Sequence, residues 1–506
     1  MTVFFLAPVG SRDVELSDPS LLPSALQHEP PAPRPLGEEI LADFGRYADA
    51  LRLPLIDVSL HWLIARGDVA PDELSVHLFA SDQHPPPTTP EPRGQGDSIL
   101  LAQIVERQLR TRGVPSPSES KRVGRARDDG RRTRLRGSQI HVHPLRDDPA
   151  DYGLMLNAYS QELAALEDQI SLGDRVYLEV TGGTTAMSSM LLVAGVETFG
   201  HRVHTLYVRP GADRPHVVPI GPRFFARQAQ LVLQEQLRRF AYAAARTSVD
   251  RRGELIAPDV ADQTLLRALL DYADRRLAFD FAKARQALHR ASAYASGRLQ
   301  AHVRFRQREL ARRDSAALLA ELIHSMRIMY QLGQHADFVH RLLRFREGCF
   351  RHLAEGMGLR YRKGDERYAD PDWVDQVVGL RAFLEDYTSP VGDRHGRIRL
   401  SDRPLTVVSL GAIVDFFVAR GKPWGRLQAP VSALHRLSTV TDLHSQGLVG
   451  PGFDGISRAD LEHGFGQDPD HIVPLLEEIY GALFTAELGD NPYEALNGLI
   501  LGLLRR

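Results

Sequence analysis

A short glycine-rich segment is the part of the sequence best suited to bind a ligand. It reads Thr181-Gly-Gly-Thr-Thr185 and lies between a β-branched run and a helical pattern rich in Ala, Ser and Met. Gly182 and Gly183 allow the backbone to turn tightly and to approach a ligand without a Cβ clash. Thr181, Thr184 and Thr185 add hydroxyl groups beside the free N–H groups of a helix N-terminus, an arrangement that suits phosphate. The alternative is that the two glycines form only a tight connection between a strand and a helix.

The same arrangement recurs at the start of the chain. An apolar run, Val3–Ala7, leads into the loop Pro8-Val-Gly-Ser-Arg-Asp13. If this run and the one before Thr181 are parallel neighbouring strands, both loops emerge at the carboxyl edge of the sheet, where open α/β sheets bind ligands. A P-loop is excluded, because Gly421-Lys422 is followed by a proline and lacks the upstream glycine pattern.

Alternating strand and helix patterns over the first ~220 residues predict βαβ units and a mainly parallel sheet. The predicted strands are Val3–Ala7, Ser75–Ala80, Gln139–His143, Arg175–Val180 and His204–Val208. The predicted helices are Gly37–Arg52, Ser98–Arg112, Tyr152–Gln169 and Ala186–Phe199. After Pro222, long segments with three-to-four apolar spacing predict helices over Phe225–Arg246, Asp262–Ser296 and Ser315–Gly333, and a further helical block runs from His335 to Arg506.

Length and composition limit the class of protein. A chain of 506 residues exceeds one ordinary core, so two or three domains are expected. A formal net charge of -2 disfavours a polybasic nucleic-acid binder. The single cysteine, Cys349, excludes an intrachain disulfide and a zinc site built from cysteines. No apolar run approaches the roughly 18 residues that cross a bilayer, and the first residues lack the basic region of a signal peptide. A soluble, cytoplasmic protein without a membrane partner is expected.

The two glycine-rich loops together resemble the CRISPR-associated Rossmann fold, the CARF domain, over roughly residues 1–220. Leu6-Ala-Pro-Val-Gly-Ser-Arg-Asp13 and Val180-Thr-Gly-Gly-Thr-Thr-Ala-Met187 carry the resemblance, with Phe79-Ala-Ser-Asp-Gln83 and Gly96-Asp-Ser98 as further segments. In that family the domain dimerises, and the loops of both protomers hold a cyclic oligoadenylate on the two-fold axis. The resemblance therefore implies a ligand site formed by Gly10, Ser11, Arg12, Thr181, Gly182, Gly183, Thr184 and Thr185. Many relatives have a lysine where Thr185 stands, and its absence argues against any self-cleavage of the ligand that depends on a cation at this position.

The helical block resembles a HEPN domain of the CARF–HEPN ribonucleases. The resemblance rests on His335–Leu359, on Leu434–Ser445 followed by Gly447-Leu-Val-Gly450, and on Asn491–Ile500. In HEPN nucleases an Arg and a His, four to six residues apart, act with their symmetry mates in a composite site of the dimer, and no metal is required. By this resemblance Arg436 and His444 are the catalytic candidates, although seven residues separate them.

A second pair, Arg346 and His352, has the family spacing. Six positions along a helix place two side chains about 120° apart, which favours a surface or packing role for this pair. Four histidines lie close together in the sequence, but their spacing presents no clean metal face. They are His324, His335, His340 and His352.

Arg and His are the residue types that metal-free RNA cleavage needs. Attack of a ribose 2′-OH on the adjacent phosphate requires a proton acceptor that works near neutral pH, which histidine supplies. The extra negative charge of the transition state requires a fixed cation, which arginine supplies. The poor helix formers Ser438-Thr-Val-Thr441 predict that Arg436 ends a helix and that His444 lies in the turn beyond.

The predicted protein has an α/β Rossmann-like N-terminal domain and an all-α C-terminal half. The predicted boundaries are residues 1–222 for the CARF-like domain, 223–334 for a helical connector and 335–506 for a HEPN-like domain. The predicted function is that of a homodimeric type III CRISPR accessory ribonuclease without a cofactor. It is activated by a cyclic tetra- or hexa-adenylate and cuts single-stranded RNA; DNA is not an expected partner. Two alternatives remain: a catalytically degenerate sensor whose helical half binds a protein, and a ring nuclease that cleaves the cyclic oligoadenylate.

Overall fold

Residues 2–27, 31–66, 69–83, 96–115, 132–171, 173–312, 314–389, 398, 400, 403–445 and 455–504 are described by the structure, which is a computed structural model. Packing divides the chain into two units, Met1–Ala229 and Gln230–Arg506. The predicted boundary after residue 222 falls inside the helix Ile220–Arg238, which also contains the boundary between the two units. The segment Gly447–Gly450, used above for the HEPN resemblance, lies outside the described residues.

The first unit is built on a sheet of six strands, and all five predicted strands are confirmed. These strands are β1 (Val3–Pro8), β2 (Leu74–Ser81), β3 (Ile140–Leu145), β4 (Arg175–Glu179), β5 (Val203–Tyr207) and β6 (His216–Val218). Their order is β6-β5-β4-β1-β2-β3, and only β6 is antiparallel to its neighbour. The chain extends the sheet from β1 through β2 to β3, then returns to place β4 on the other side of β1. The carboxyl ends of β1 and β4 therefore form a topological switch point, the usual ligand position of such sheets.

Both faces of β1 are buried, which explains its uninterrupted apolar sequence. Val3, Phe5 and Ala7 belong to the core on one face of the sheet. Phe4 and Leu6 belong to the core on the opposite face. Helices cover the sheet on both sides, as the Rossmann-like prediction requires.

The helices of the first unit are α1 (Pro33–Ala42), α2 (Phe44–Tyr47), α3 (Ile56–Ala65), α4 (Ile99–Thr111), α5 (Tyr152–Glu167) and α6 (Thr185–Phe199). The single predicted helix over Gly37–Arg52 is wrong, because Asp43 ends α1 and caps α2 through its side chain, and Leu51–Arg52 pairs with Glu15–Leu16 as a short ladder. Helix α3 was not predicted from the sequence. Its mean hydropathy is high and its apolar residues mark no single face, so helical periodicity was not visible.

The second unit is almost entirely helical, which confirms the predicted all-α half. The helix α7 (Ile220–Arg238) is followed by α8 (Tyr242–Ile256), α9 (Val260–Leu277), α10 (Phe281–Ser292), α11 (Gly297–Glu309), α12 (Ser315–Gln331), α13 (His335–Gly356), α14 (Pro371–Gln376), α15 (Leu380–Glu385), α16 (Val407–Ala419), α17 (Gln428–Arg436), α18 (Ser438–Asp442), α19 (Arg458–Phe465), α20 (Ile472–Phe484) and α21 (Pro492–Leu503). One short antiparallel ladder, Tyr361–Arg362 with Asp365–Ala369, interrupts the helices.

Two long predicted helices are each divided at a phenylalanine. Phe240 and Phe279 have φ values of 53° and 59°, in the left-handed region that ends a helix. After Phe279, Asp280 starts α10 by accepting a hydrogen bond from the Lys283 N–H. The apolar spacing continues across both breaks, so periodicity alone predicted one helix in each case.

Within the described ranges, no helix is long and apolar enough to cross a membrane. The same part of the chain contains no group of three or more His, Cys, Asp or Glu side chains placed to hold a metal ion.

Three neighbouring histidines lie on β2 and β3 in the first unit, and His77 is the buried one of the three. His77 is 2% exposed, and its Nδ1 lies 3.0 Å from Nε2 of His143. His143 in turn places Nδ1 2.9 Å from a carboxylate oxygen of Glu162 on α5. Burial, with smaller contributions from His143 and His141, lowers the pKa of His77 to about 3. His77 is therefore neutral in the folded protein at neutral pH.

This burial predicts a loss of stability in acid. The unfolded chain binds a proton at position 77 below pH ~6.5, whereas the folded chain resists protonation until about pH 3. The contribution of His77 to the free energy of unfolding is therefore fully present above pH ~6.5. It falls as the pH decreases from ~6.5 towards about 3, by up to about 1.4 kcal/mol per pH unit. Urea unfolding at several pH values should show a shallower pH slope for His77→Gln. The exposed His201→Gln is the control, and equal slopes in wild type and His77→Gln would disprove the assignment.

Candidate functional site

The two glycine-rich loops lie against each other at the switch point of the sheet. A Cβ on Gly10 would lie 2.8 Å from the backbone nitrogen of Gly183, and a Cβ on Gly182 would lie 2.4 Å from the carbonyl oxygen of Pro8. Gly183 also has a φ of 70°, which favours glycine. The loops after β1 and β4 thus approach backbone to backbone, and side chains at these positions would separate them.

Two buried carboxyl groups beneath the loops hold their backbone N–H groups. The Gly10 N–H donates to Asp13 Oδ2 at 2.8 Å. The N–H groups of Thr181 and Gly182 donate to the two oxygens of Glu179 at 2.9 and 3.2 Å. Both acids are fully buried. Asp13 and Glu179 therefore shape the loops from the inside, and neither was among the predicted site residues.

Burial makes these two acids unusual. Burial, followed by the nearby charge of Glu179, raises the pKa of Asp13 well above its usual value. Burial also raises the pKa of Glu179, against the N–H donors of Thr181 and Gly182 that lower it. Both groups thus favour the neutral form more than surface carboxyls do, which limits the negative charge beneath the two loops.

Three of the predicted residues hold the loops through hydrogen bonds. Arg12 donates from Nη2 to the carbonyl oxygen of Thr181 at 3.1 Å and so links the loops. The Thr181 hydroxyl accepts from the Val208 N–H at 2.8 Å. Thr184 is the N-cap of α6, with its hydroxyl oxygen 3.1 Å from the donating N–H of Met187.

Two exposed hydroxyl groups at the carboxyl edge of the sheet are available to a ligand. Ser11 and Thr185 are exposed, and their hydroxyls have no hydrogen-bond partner among the described residues. A cavity of about 450 Å³ adjoins Ser11 and Arg12 and is otherwise mainly apolar. The structure thus brings all eight predicted residues together, with Thr181 and Thr184 serving as fixed supports and Ser11 and Thr185 as free donors.

In the second unit, Arg436 is the last residue of α17, as the sequence predicted. Its side chain is exposed, and its guanidinium has no partner in the part of the chain that the structure describes. The poor helix formers after it nevertheless form the short helix α18, Ser438–Asp442. His444 lies in the 3₁₀ turn Leu443–Ser445 that follows, as the sequence predicted. A free guanidinium at a helix end is available to contact a phosphate.

His444 lies against a second histidine. Its ring centroid is 5.1 Å from that of His340 on α13, at an interplanar angle of 52°. Burial, followed by the charge of His444, lowers the pKa of His340. A cavity of about 380 Å³ lined by His340, Arg341 and Arg344 adjoins this contact. The half-buried His444 is thus held on one side by α13.

Arg346 has a packing role, in agreement with the sequence. It is 5% exposed; its Nε donates to the Leu434 carbonyl oxygen at 2.9 Å, and its Nη1 donates to the Thr441 hydroxyl. Its proposed partner His352 stacks on Phe484 at 4.6 Å between ring centroids. Arg346 therefore anchors the segment that contains Arg436 and His444.

A neighbouring buried group supports the same helix. His435 places Nε2 2.9 Å from Asp415 Oδ1, and Tyr387 donates its hydroxyl to Asp415 Oδ2 at 2.6 Å. His435 is 6% exposed. Since His435 directly precedes Arg436, this group fixes the end of α17 and the direction in which Arg436 leaves it.

Another Arg–His pair, which was not predicted, lies on α19. Arg458 is the first residue of this helix, and His463 follows about one and a half turns later. Four residues separate them, which is within the family spacing, and this spacing was the signal that could have revealed them. His463 is exposed. Arg458, however, donates to the Tyr330 hydroxyl and to Asp470 at 2.8 Å each, and to Asp468 at 2.9 Å.

Helix α19 packs directly against α18. The Thr439 hydroxyl donates to the carbonyl oxygens of Arg436 and Gly464. A Cβ on Gly464 would lie 3.4 Å from the Cα of Val440. The two Arg–His pairs therefore belong to adjoining parts of one helical cluster.

The similarity of this chain to known proteins is one of fold. No protein-family model matches the sequence, and no curated protein matches it. The structure is similar to that of Csm6 from Enterococcus italicus bound to cyclic hexa-2′-fluoro-hexa-dAMP, with a TM-score of 0.61 and 13% identity over 99% of this chain and 100% of that chain. At this identity the likeness establishes the fold, and it confirms the CARF–HEPN resemblance at that level over both units.

Proposed function

We propose that this chain, with the fold of Csm6, is a type III CRISPR accessory protein that binds a cyclic oligoadenylate and, once bound, cleaves single-stranded RNA. The observation that supports the first part most strongly is the close packing of the two glycine loops at the switch point of the sheet. The similar Csm6 structure contains a cyclic hexanucleotide analogue. A phosphate ligand held by backbone N–H groups and hydroxyls also needs no basic domain, which fits a net charge of -2.

In the proposed ligand site, Arg12, Thr181 and Thr184 hold the loops through their hydrogen bonds, and the other five predicted residues form the surface of the site. Gly10, Gly182 and Gly183 allow the two loops to pack backbone to backbone, and the N-terminus of α6 presents free N–H groups to the ligand. Ser11 and Thr185 donate hydroxyls to phosphate oxygens. Asp13 and Glu179 keep the loops in place without being ligands themselves.

In the proposed nuclease site, His444 accepts the proton of the ribose 2′-OH as its oxygen attacks the adjacent phosphate. Arg436 stabilises the negative charge that forms on the phosphate oxygens. The bond between phosphorus and the 5′ oxygen then breaks, and the 5′ oxygen takes the proton back from the imidazolium of His444. The products carry a 2′,3′-cyclic phosphate and a 5′-hydroxyl. By resemblance, a homodimer would bring two copies of the pair together. Cyclic oligoadenylate activates the enzyme if it binds more tightly to the form in which this pair is assembled.

Arg458 and His463 are the second candidate pair. Their spacing matches the family better, but three hydrogen-bond partners already engage the Arg458 guanidinium. Arg436 has an unengaged guanidinium but a longer spacing. We therefore assign catalysis to Arg436 and His444 and use the second pair as the direct competitor in mutagenesis.

The activation step is tested with rings of three to six adenylates and a fluorescent single-stranded RNA reporter. We expect cleavage to rise by at least tenfold with one ring size, cA4 or cA6, and to be unchanged by EDTA, because the proposed chemistry uses only Arg and His side chains. Linear oligoadenylates of equal length are the matched control. Binding of a ring without any RNA cleavage would instead support the non-catalytic sensor, which the long Arg436–His444 spacing favours.

The ring-nuclease alternative makes a different prediction. The exposed Ser11 and Thr185 hydroxyls lie where the cyclic ligand would bind, but the family's lysine is missing. We expect the cyclic oligoadenylate to be recovered intact after prolonged incubation with the protein, as measured by chromatography. Linear products that disappear in Ser11→Ala or Thr185→Val would contradict this expectation.

A further inference from the structure

The second unit contains a large cavity that the proposed nuclease site does not use. Its volume is about 760 Å³, within the range of small-molecule sites. The lining comes from α9 to α12 and from the end of α20. The lining includes four charged side chains joined by ion pairs and several aromatic rings.

These four charged residues of the lining form a network in which the positive and negative charges balance. Arg276 is 2% exposed and donates to both Glu309 and Glu321, with its Nη2 2.6 Å from an oxygen of Glu321. Arg306 donates from Nη1 to Glu309 at 2.8 Å. Tyr272 accepts from Arg276 Nη1 at 2.6 Å. Two arginines thus balance two glutamates, and the network alone creates no net attraction for an ion.

Two polar atoms at this cavity have no partner among the described residues. They are Nε of Arg306 and Nδ1 of His324, and both atoms are buried. The two residues are 6% and 5% exposed. Burial, followed by the charge of Arg276, lowers the pKa of His324 to about 4, so its ring is neutral and offers one donor and one acceptor nitrogen. Unpaired buried polar atoms are costly, so these positions favour a ligand with hydrogen-bonding groups.

The aromatic residues of the lining favour a planar ligand. Phe281, Phe305, Tyr480 and Phe484 line the cavity. Phe305 is 53% exposed, which is unusual for so large an apolar side chain. At the rim, Arg308 forms no ion pair with any described residue, while Asp314 is engaged as the cap of α12.

We propose that this cavity is a second binding site that takes a nucleobase, with its phosphate at Arg308. A base presents flat faces for the aromatic rings and edge groups that match an N–H donor and a neutral imidazole. The net neutrality of the network fits an uncharged base. The same chemistry can come from a free mononucleotide or from a base of an RNA strand.

Calorimetry with the full-length protein tests the proposal. The probes are the four nucleoside 5′-monophosphates, the corresponding nucleosides, and short RNA oligonucleotides with His444→Ala protein to prevent cleavage. We expect at least one monophosphate to bind with a sub-millimolar Kd, and Phe305→Ala to weaken it about tenfold through lost stacking. Arg308→Gln should weaken the monophosphate but not the nucleoside. If only the oligonucleotides bind in a Phe305-dependent manner, the source of the base is RNA.

Controls separate this site from the loop site and from unfolding. Arg12→Ala, in the first unit, should leave mononucleotide binding unchanged while it weakens cyclic oligoadenylate binding. The substituted residues Phe305 and Arg308 are exposed, so circular dichroism should show an unchanged fold. The proposal is overturned if no probe binds at millimolar concentration, or if Phe305→Ala and Arg308→Gln bind as tightly as wild type.

Discussion

His444→Ala is expected to reduce activator-stimulated RNA cleavage by at least a hundredfold. Loss of a general base typically costs a factor of ~10²–10⁴, and burial lowers the pKa of the neighbouring His340, which makes it a weaker proton acceptor than an exposed histidine. Arg436→Ala should cost ~10²–10³, because it removes the cation that stabilises the transition state. Initial rates with the fluorescent RNA reporter at saturating cyclic oligoadenylate give both values.

The matched variants are Arg458→Ala and His463→Ala, which occupy the adjoining helix α19. We expect His463→Ala to retain cleavage within a few fold, since Arg458 is already bound by Tyr330, Asp468 and Asp470. Cyclic oligoadenylate binding should be equal in all four variants. If His463→Ala abolishes cleavage and His444→Ala does not, the catalytic pair is the one with the family spacing, and our assignment is wrong while the proposed function stands.

Gly182→Ala is expected to raise the concentration of cyclic oligoadenylate needed for half-maximal activation by at least tenfold. The new Cβ would lie 2.4 Å from the Pro8 carbonyl oxygen and 2.6 Å from Asp13 Oδ2, so the two loops must separate. Such overpacking also costs about 1–3 kcal/mol of the free energy of unfolding. Binding is measured by calorimetry and stability by urea unfolding on the same sample.

Gly153→Ala is the control for this substitution. It lies in the same unit at the start of α5, and its Cβ would only contact Asp151 Oδ1 at 3.4 Å. We expect wild-type binding and equal or greater stability, because alanine is the better helix former. Wild-type binding by a folded Gly182→Ala protein would show that the glycine loops do not hold the ligand.

Several features of the proposed ligand site were predictable from the sequence. The strands before Gly10 and Gly182 are short apolar runs followed by glycine, and local propensity is sufficient to place a strand and a loop there. The chain order further suggested parallel neighbours. The register of β1 against β4, with Val3 opposite Arg175, is set by contacts across the sheet and was not predictable.

The helical half shows where local patterns fail. Apolar spacing continues through Phe240 and Phe279, yet both residues end helices in the structure. Since helices α8 and α10 start immediately afterwards, the breaks turn the chain so that neighbouring helices can pack. Apolar periodicity indicates which residues are buried, but it does not indicate where a helix ends and the chain reverses direction.

By itself, the sequence determined the alternation of strands and helices, the two glycine loops, the helical second half and the residue types available for chemistry. These depend on local propensity and on spacing within one element. Only the tertiary structure decided that Asp13 and Glu179 lie under the loops, that Arg346 is buried against Leu434, and that Arg458 is engaged by Tyr330 at a separation of 128 positions. The physical reason is that burial and pairing of a charge depend on which distant segments pack around it, and no spacing within one segment encodes that.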